Sequence, residues 1–225
     1  MKKDDKPIVF VVDDDPSVRE ALDSLIRSIK LNVLTFSSAA EFLSFKRPDV
    51  PGCLVLDVRL PELNGLDFQH ELAKSNVVLP IVFISAHGDI RMSVRAIKAG
   101  AIDFLAKPFC HQDLIDAIHA GIDQDRARRQ TETILLEIKD RFALLTARER
   151  QVMLEVVRGR LNKQIAAKFK ISELTVKVHR AHLMHKMKAQ TLVDLVRMAD
   201  DLHAQADVGI GHWHGARPNW NFARL

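Results

Sequence analysis

The sequence predicts an α/β doubly wound domain with a five-stranded parallel sheet, followed by an all-α domain of four helices. Three observations carry this reading. Short β-rich runs alternate with helix-length amphipathic segments through the first half, the second half holds helical patterns alone, and a polar stretch with few helix breakers separates the two. At 225 residues the chain has room for two modest domains. Its 47% hydrophobic and 28% charged residues exclude a disordered or fibrous chain.

In chain order, residues 8–12 (IVFVV), 33–36, 53–56 (CLVL), 81–84 (IVFI) and 102–105 (IDFL) read as strands. Segments 18–30, 39–45, 66–75 and 90–99 lie between them with apolar residues three and four apart, and a further helix is expected from about residue 112. Buried strands alternating with helices imply a parallel sheet covered on both faces. This domain is placed at 1–121 and a helical linker at 122–142, where IDQDRARRQTETILLEIKD balances its charges. The second domain, 143–203, opens with Thr146 and Glu149 spaced as a T-x-x-E capping box. Gly159 stops that helix, Asn162 is expected to cap a short one to residue 169, Ser172 caps a third over 173–187, and 192–202 supplies a fourth. Residues 204–225 are expected to form a flexible tail.

Charge separates the halves. Residues 1–120 carry 14 lysines and arginines against 17 aspartates and glutamates, a net of −3, whereas 121–225 carry 19 against 12, a net of +7. Most of the excess falls in 143–199, with 12 basic against 4 acidic residues, the footprint of a module that meets phosphates. No apolar run approaches the roughly 18 residues of a membrane span, and no apolar segment follows the N-terminal lysines, so a cytoplasmic location without membrane contact is expected. Cys53 and Cys110 have neither CxxC spacing nor a zinc-like histidine partner and are expected to be buried or incidental thiols.

In an open parallel sheet, ligands bind beyond the carboxyl ends of the strands. There the first strand runs into Asp13, Asp14 and Asp15, the third into Asp57, the fourth into Ser85 and the last into Lys107 and Pro108. Crowded carboxylates repel unless a hard divalent cation such as Mg²⁺ joins them, and a nearby lysine and hydroxyl suit a phosphoryl group. Helix capping is the competing account for Asp15 or Ser17.

Together, VVDDDPSVRE, LVLDVRLPELNGLDF, ISAHGD and FLAKPF resemble the receiver domain of two-component response regulators, a flavodoxin-like fold, over residues 6–122. The resemblance implies that Asp57 is the phosphoacceptor, taking its phosphoryl group from a cognate sensor histidine kinase. Mg²⁺ (or Mn²⁺) would be held by Asp14, Asp57 and the backbone carbonyl of Arg59, with Asp13 acting through a bound water. Lys107 would pair with phosphoryl oxygens, Ser85 would bond one of them, Phe104 would turn inward behind Ser85, and the Lys107–Pro108 bond would be cis. Beyond its own phosphorylation and slow autodephosphorylation, no enzymatic turnover is expected. A haloacid-type phosphotransferase would need an acid two residues after the nucleophile, where Arg59 stands. A regulator indifferent to phosphorylation would be expected to have lost Asp57, Asp14 or Lys107.

In the second domain, the 173–187 helix divides into a core side with Val176, His179, Leu183 and Met187 and an outer side with Leu174, Lys177, Val178, Ala181 and His185. Taken with NK-x-IA and TVK-x-HR, residues 143–200 resemble the LuxR-type helix-turn-helix domain of FixJ/NarL response regulators. By that resemblance Lys177 and Val178 face bases, while Arg180, Lys163 and Thr175 lie near the DNA backbone. Ala181 is suited to a thymine methyl. Lys186, Asn162 and Ser172 are further candidates for phosphate contacts. The implied partners are double-stranded promoter DNA, a second copy of the chain on phosphorylation, and RNA polymerase. HWHGARPNW and the triplet His179, His182 and His185 are weaker as metal sites than as tail, core and groove residues.

Overall fold

The computed structural model describes residues 6–61, 64–75, 77–86 and 90–209. Five strands, β1 (Ile8–Val12), β2 (Asn32–Phe36), β3 (Gly52–Asp57), β4 (Ile81–Ser85) and β5 (Asp103–Ala106), form one sheet in the order β2-β1-β3-β4-β5. All neighbours run parallel, with Val9 opposite Val33 and Cys53, Leu56 opposite Phe83, and Phe83 opposite Phe104.

Side-chain alternation builds two cores from the same strands. Phe10, Val12, Leu54, Leu56 and Phe83 face one side, where they join Phe42 of α2 (Ala39–Ser44), Leu66, Phe68 and Leu72 of α3 (Gly65–Lys74) and Ala96 of α4 (Ile90–Lys98). Val9, Val11, Cys53, Val55, Val82 and Ile84 face the other, against Leu22 and Ile26 of α1 (Pro16–Ser28) and Leu114, Ile118 and Ile122 of α5 (His111–Ala143). Burial pushes the Cys53 thiol up to about 12, which makes it a packing group, whereas Cys110 is exposed.

The helix expected from residue 112 and the helical linker are one 33-residue helix, α5. The first compact unit extends along it to Gln130, beyond the expected end at 121. Two residues past 121 account for this. Ile122 is core, and Asp125 is fully buried, accepting from the Gly52 amide (3.0 Å) and from Arg128 and Arg129. Arg129 also bonds Asp49.

The second unit contains α6 (Ala147–Val157), α7 (Asn162–Phe169), α8 (Glu173–Met187) and α9 (Leu192–Gly209). Its core gathers Val152, Val156, Ile165, Val176, Leu183, Met187 and Leu195. The capping box of Thr146 and Glu149 closes as expected, and Ser172 caps α8. Asn162 does not cap α7: it is the first helical residue, because Leu161 occupies the cap position with its amide bonded to Gln164 Oε1 (3.0 Å). Helix α9 continues to Gly209, past the expected end at 202, so part of the expected tail is helical. The HWHGARPNW motif lies outside the described residues. Among those described, no helix is long and apolar enough to cross a membrane.

Candidate functional site

The parallel register delivers the acidic residues to one edge. Asp13 follows the last residue of β1 and Asp57 ends the adjacent β3, so two buried carboxylates reach the same sheet edge, with the exposed Asp14 beside them. One carboxylate oxygen from each of Asp13, Asp14 and Asp57 lies within 4.8 Å of the others. Lys107, just past β5, donates from Nζ to Asp13 Oδ2 (2.9 Å) and Asp57 Oδ2 (2.8 Å).

Burial holds the Asp13 carboxyl above the ordinary range, against the lowering pull of the Lys107 hydrogen bond. Burial also works against the Lys107 charge, but the hydrogen bonds to Asp57 and Asp13 outweigh it and its pKa is raised. The ammonium therefore sets a positive charge against two buried anions. Three hard oxygen ligands at this spacing fit a divalent ion of the Mg²⁺ kind, which prefers a few carboxylates and completes its shell with water or phosphate oxygens.

Neighbouring groups fix the carboxylates. Asp57 Oδ1 accepts from the Arg59 amide (2.9 Å), which makes a bridge with Asn64. Asp13 Oδ1 accepts from the Asp15 amide (2.9 Å), and Asp15 itself caps α1 through the Ser17 amide (2.8 Å), as its capping reading expects. Ser85 is buried at the end of β4, its carbonyl accepting from the Lys107 amide (2.7 Å), and the Lys107–Pro108 bond is cis. Phe104 is half-buried beside Phe83, ring centroids 6.2 Å apart. His87, Gly88 and Asp89 of the ISAHGD motif lie outside the described residues.

Two contributors are not evident from the sequence reading. Arg19 donates to the carbonyls of Asp13 (2.7 Å) and Asp14 (2.9 Å), gripping the acidic loop by its backbone. Gly65 begins α3 against the end of β3, where a Cβ would stand 2.7 Å from the Asp57 carbonyl oxygen. The NG in LPELNGLDF was the available signal for a turn there, but not for the close approach.

In the second unit, α8 presents Leu174, Thr175, Lys177, Val178, Ala181 and His185 outward, while Val176, Leu183 and Met187 are buried and His179 is half-buried. Lys163 on α7 is exposed. The other candidates for phosphate contacts have protein partners. Arg180 donates to Asn162 Oδ1 (2.7 Å), the Ser172 hydroxyl accepts from the Thr175 amide (3.0 Å), and Lys186 donates to Glu149 Oε2 (2.7 Å).

Glu149 is buried, which would raise its pKa, but Lys186 and the Thr146 amide outweigh burial and hold it at about 2. Because the folded value is depressed below the ordinary 4.5, the stabilisation is complete above about 4.5 and is lost as pH falls towards 2. Acid titration followed by circular dichroism should therefore show less loss of stability between pH 5 and about 2 for Glu149→Gln than for wild type. Equal pH slopes would deny Glu149 this share.

The sheet order, the aspartate cluster at its carboxyl edge and the exposed basic helix together define a receiver joined to a helix-turn-helix module. The sequence profile for the response regulator receiver domain matches residues 9–119, and that for bacterial regulatory proteins of the luxR family matches 143–199. Nodulation protein W of Bradyrhizobium diazoefficiens is 51% identical over 202 residues, covering 90% of this chain and 89% of its own. Response regulator protein TodT of Pseudomonas putida F1 is 48% identical over 195 residues, covering 87% and 86%. The solved response regulator StyR superposes with a TM-score of 0.77 at 49% identity, covering 87% of this chain and 98% of that one. The chain belongs to the response regulators that join a receiver domain to a LuxR-type DNA-binding domain.

Proposed function

We propose that this response regulator is switched by phosphorylation of Asp57 and then binds promoter DNA as a dimer. The observation that carries the reading is the Lys107 ammonium bonded at once to Asp57 and Asp13, with Asp14 completing a three-carboxylate cluster. In the transfer, an Asp57 carboxylate oxygen forms the O–P bond as the P–N bond of the kinase phosphohistidine breaks. The imidazole leaves with the electron pair and takes up a proton. Lys107 faces the developing phosphoryl charge, and Arg59 N–H keeps the attacking carboxylate oriented.

Asp14, Asp57 and the Arg59 carbonyl would hold Mg²⁺ (or Mn²⁺), with Asp13 acting through a water. Bound there, the ion neutralises charge shared by carboxylates and phosphoryl oxygens. Ser85 bonds a phosphoryl oxygen once the acyl phosphate exists, and Phe104 turns inward behind it, a shift between two states of one face. That face joins two receivers. Residues 122–142 serve as the linker and 143–203 as the output domain, where Lys177, Val178 and Ala181 read bases and Lys163, Thr175 and Arg180 lie near the DNA backbone. RNA polymerase is the further partner at the promoter. Apart from accepting and slowly losing its own phosphoryl group, the protein turns nothing over.

Intact-protein mass after incubation with acetyl phosphate tests the switch. A single phosphoryl adduct that forms with Mg²⁺ and fails with EDTA is expected. An adduct equally abundant in EDTA would overturn the metal assignment, and no adduct on a folded chain supplied with Mg²⁺ and phosphorylated kinase would overturn the switch.

A further inference from the structure

Lys186 lies on the flank of α8, roughly a quarter turn around the helix from Val178, and about 13 Å along the axis from Lys177 at 1.5 Å per residue. Its ammonium is 2.7 Å from Glu149 Oε2, and the Glu149 side chain is only 3% exposed. His182, one turn earlier on α8, approaches the other Glu149 oxygen at 3.9 Å. The same carboxylate accepts from the Thr146 amide (2.8 Å), which fixes it at the start of α6. The Thr146 amide and the Lys186 ammonium meet the same oxygen, Oε2, so one buried carboxylate ties the start of α6 to α8. Moving Lys186 to a phosphate would leave that anion buried without its cation, a penalty DNA contact would have to overcome.

We infer that Glu149 is a positioning residue for DNA reading, setting the recognition helix through Lys186, and that Lys186 belongs to this strut and not to the phosphate contacts. The inference rests on the DNA-binding reading and refines it. Two rival roles give different signs. If Lys186 were a phosphate contact restrained by Glu149, Glu149→Gln would release it. Gln also keeps the capping geometry, since glutamine serves at that position of a capping box.

The test uses the full chain with acetyl phosphate and Mg²⁺, well below its melting temperature. The probes are a duplex selected from a random pool by the wild type and a random-sequence duplex of equal length. Glu149→Gln and Lys186→Met should each weaken binding to the selected duplex about tenfold, the loss of roughly one base contact. Binding to the random duplex and the dependence of log K on log salt should stay unchanged. Tighter binding by Glu149→Gln, or a salt slope that falls by about 0.9 per lost contact in Lys186→Met, would make Lys186 a phosphate ligand and overturn the proposal. A lowered Tm with unchanged affinity for both duplexes would reduce the pair to a folding element. A wild type that enriches no duplex would remove the DNA-binding reading itself. Should Lys186→Met not fold, Glu149→Gln alone still decides, because its rival outcomes differ in sign.

Discussion

Replacing Asp57 by alanine abolishes the phosphoryl adduct and leaves the chain folded. The substitution removes the carboxylate bonded both to Lys107 Nζ and to the Arg59 amide, while Lys107 keeps its 2.9 Å bond to Asp13 and so stays in place. Removing one of three clustered carboxylates also relieves repulsion, so the melting temperature should not fall sharply. DNA affinity should then be the same with and without phosphodonor. Lys107→Met provides the contrast. The nucleophile survives but loses a donor aimed at the developing charge, which costs about 10²–10³ in rate where a comparable donor is removed elsewhere. Mass spectrometry over a time course separates a slow adduct from none. An adduct that persists in Asp57→Ala and maps to Asp13 or Asp14 would move the nucleophile.

Gly65→Ala should destabilise the first unit and slow phosphorylation, although alanine is the better helix former by about 1 kcal/mol. A Cβ there would meet the Asp57 carbonyl oxygen at 2.7 Å and Val58 Cα at 3.0 Å, and both are backbone. Relief requires α3 to back away from β3, stretching the 2.8 Å bond from the Gly65 amide to the Val58 carbonyl and shifting Asp57 with it. Overpacking of this kind costs about 1–3 kcal/mol, or roughly 2–4 °C in Tm per kcal/mol for a chain of this size. Thermal melting and the rate of adduct formation report the two effects. A higher Tm with an unchanged rate would mean that the helix gives way freely.

The sheet and the aspartates at its edge were legible because their signal is local. Each strand is a short apolar run, and each of Asp13, Asp57, Ser85 and Lys107 stands at or just past a strand end, so fold and site follow from the same alternation. Asn162 shows where local signals stop. A cap residue before a helix is a sound expectation, but Gln164 secures the Leu161 amide and Asn162 is engaged by Arg180, 18 residues away. A lysine beside an exposed helix face, such as Lys186, looks free to meet a phosphate until its partner Glu149, 37 residues back, is placed. Arg19 lies inside VVDDDPSVRE, yet it works through backbone carbonyls, which carry no sequence signature. Side-chain periodicity reveals faces; it is silent on which distant charge answers which.

Asp125 bears on how such proteins can be recombined. Receivers and output domains are natural units of exchange, and a gap between their sequence profiles invites a splice anywhere from residue 120 to 142. A splice at 121 would leave behind Ile122, which is 2% exposed, and the aspartate that answers the Gly52 amide at the entrance to β3. The graft would inherit an open floor beneath the strand that ends in Asp57. A seam after Gln130 keeps both residues with the sheet they complete. The transferable receiver is therefore longer than its profile, and its last turns belong to a helix that continues without a break into the next domain.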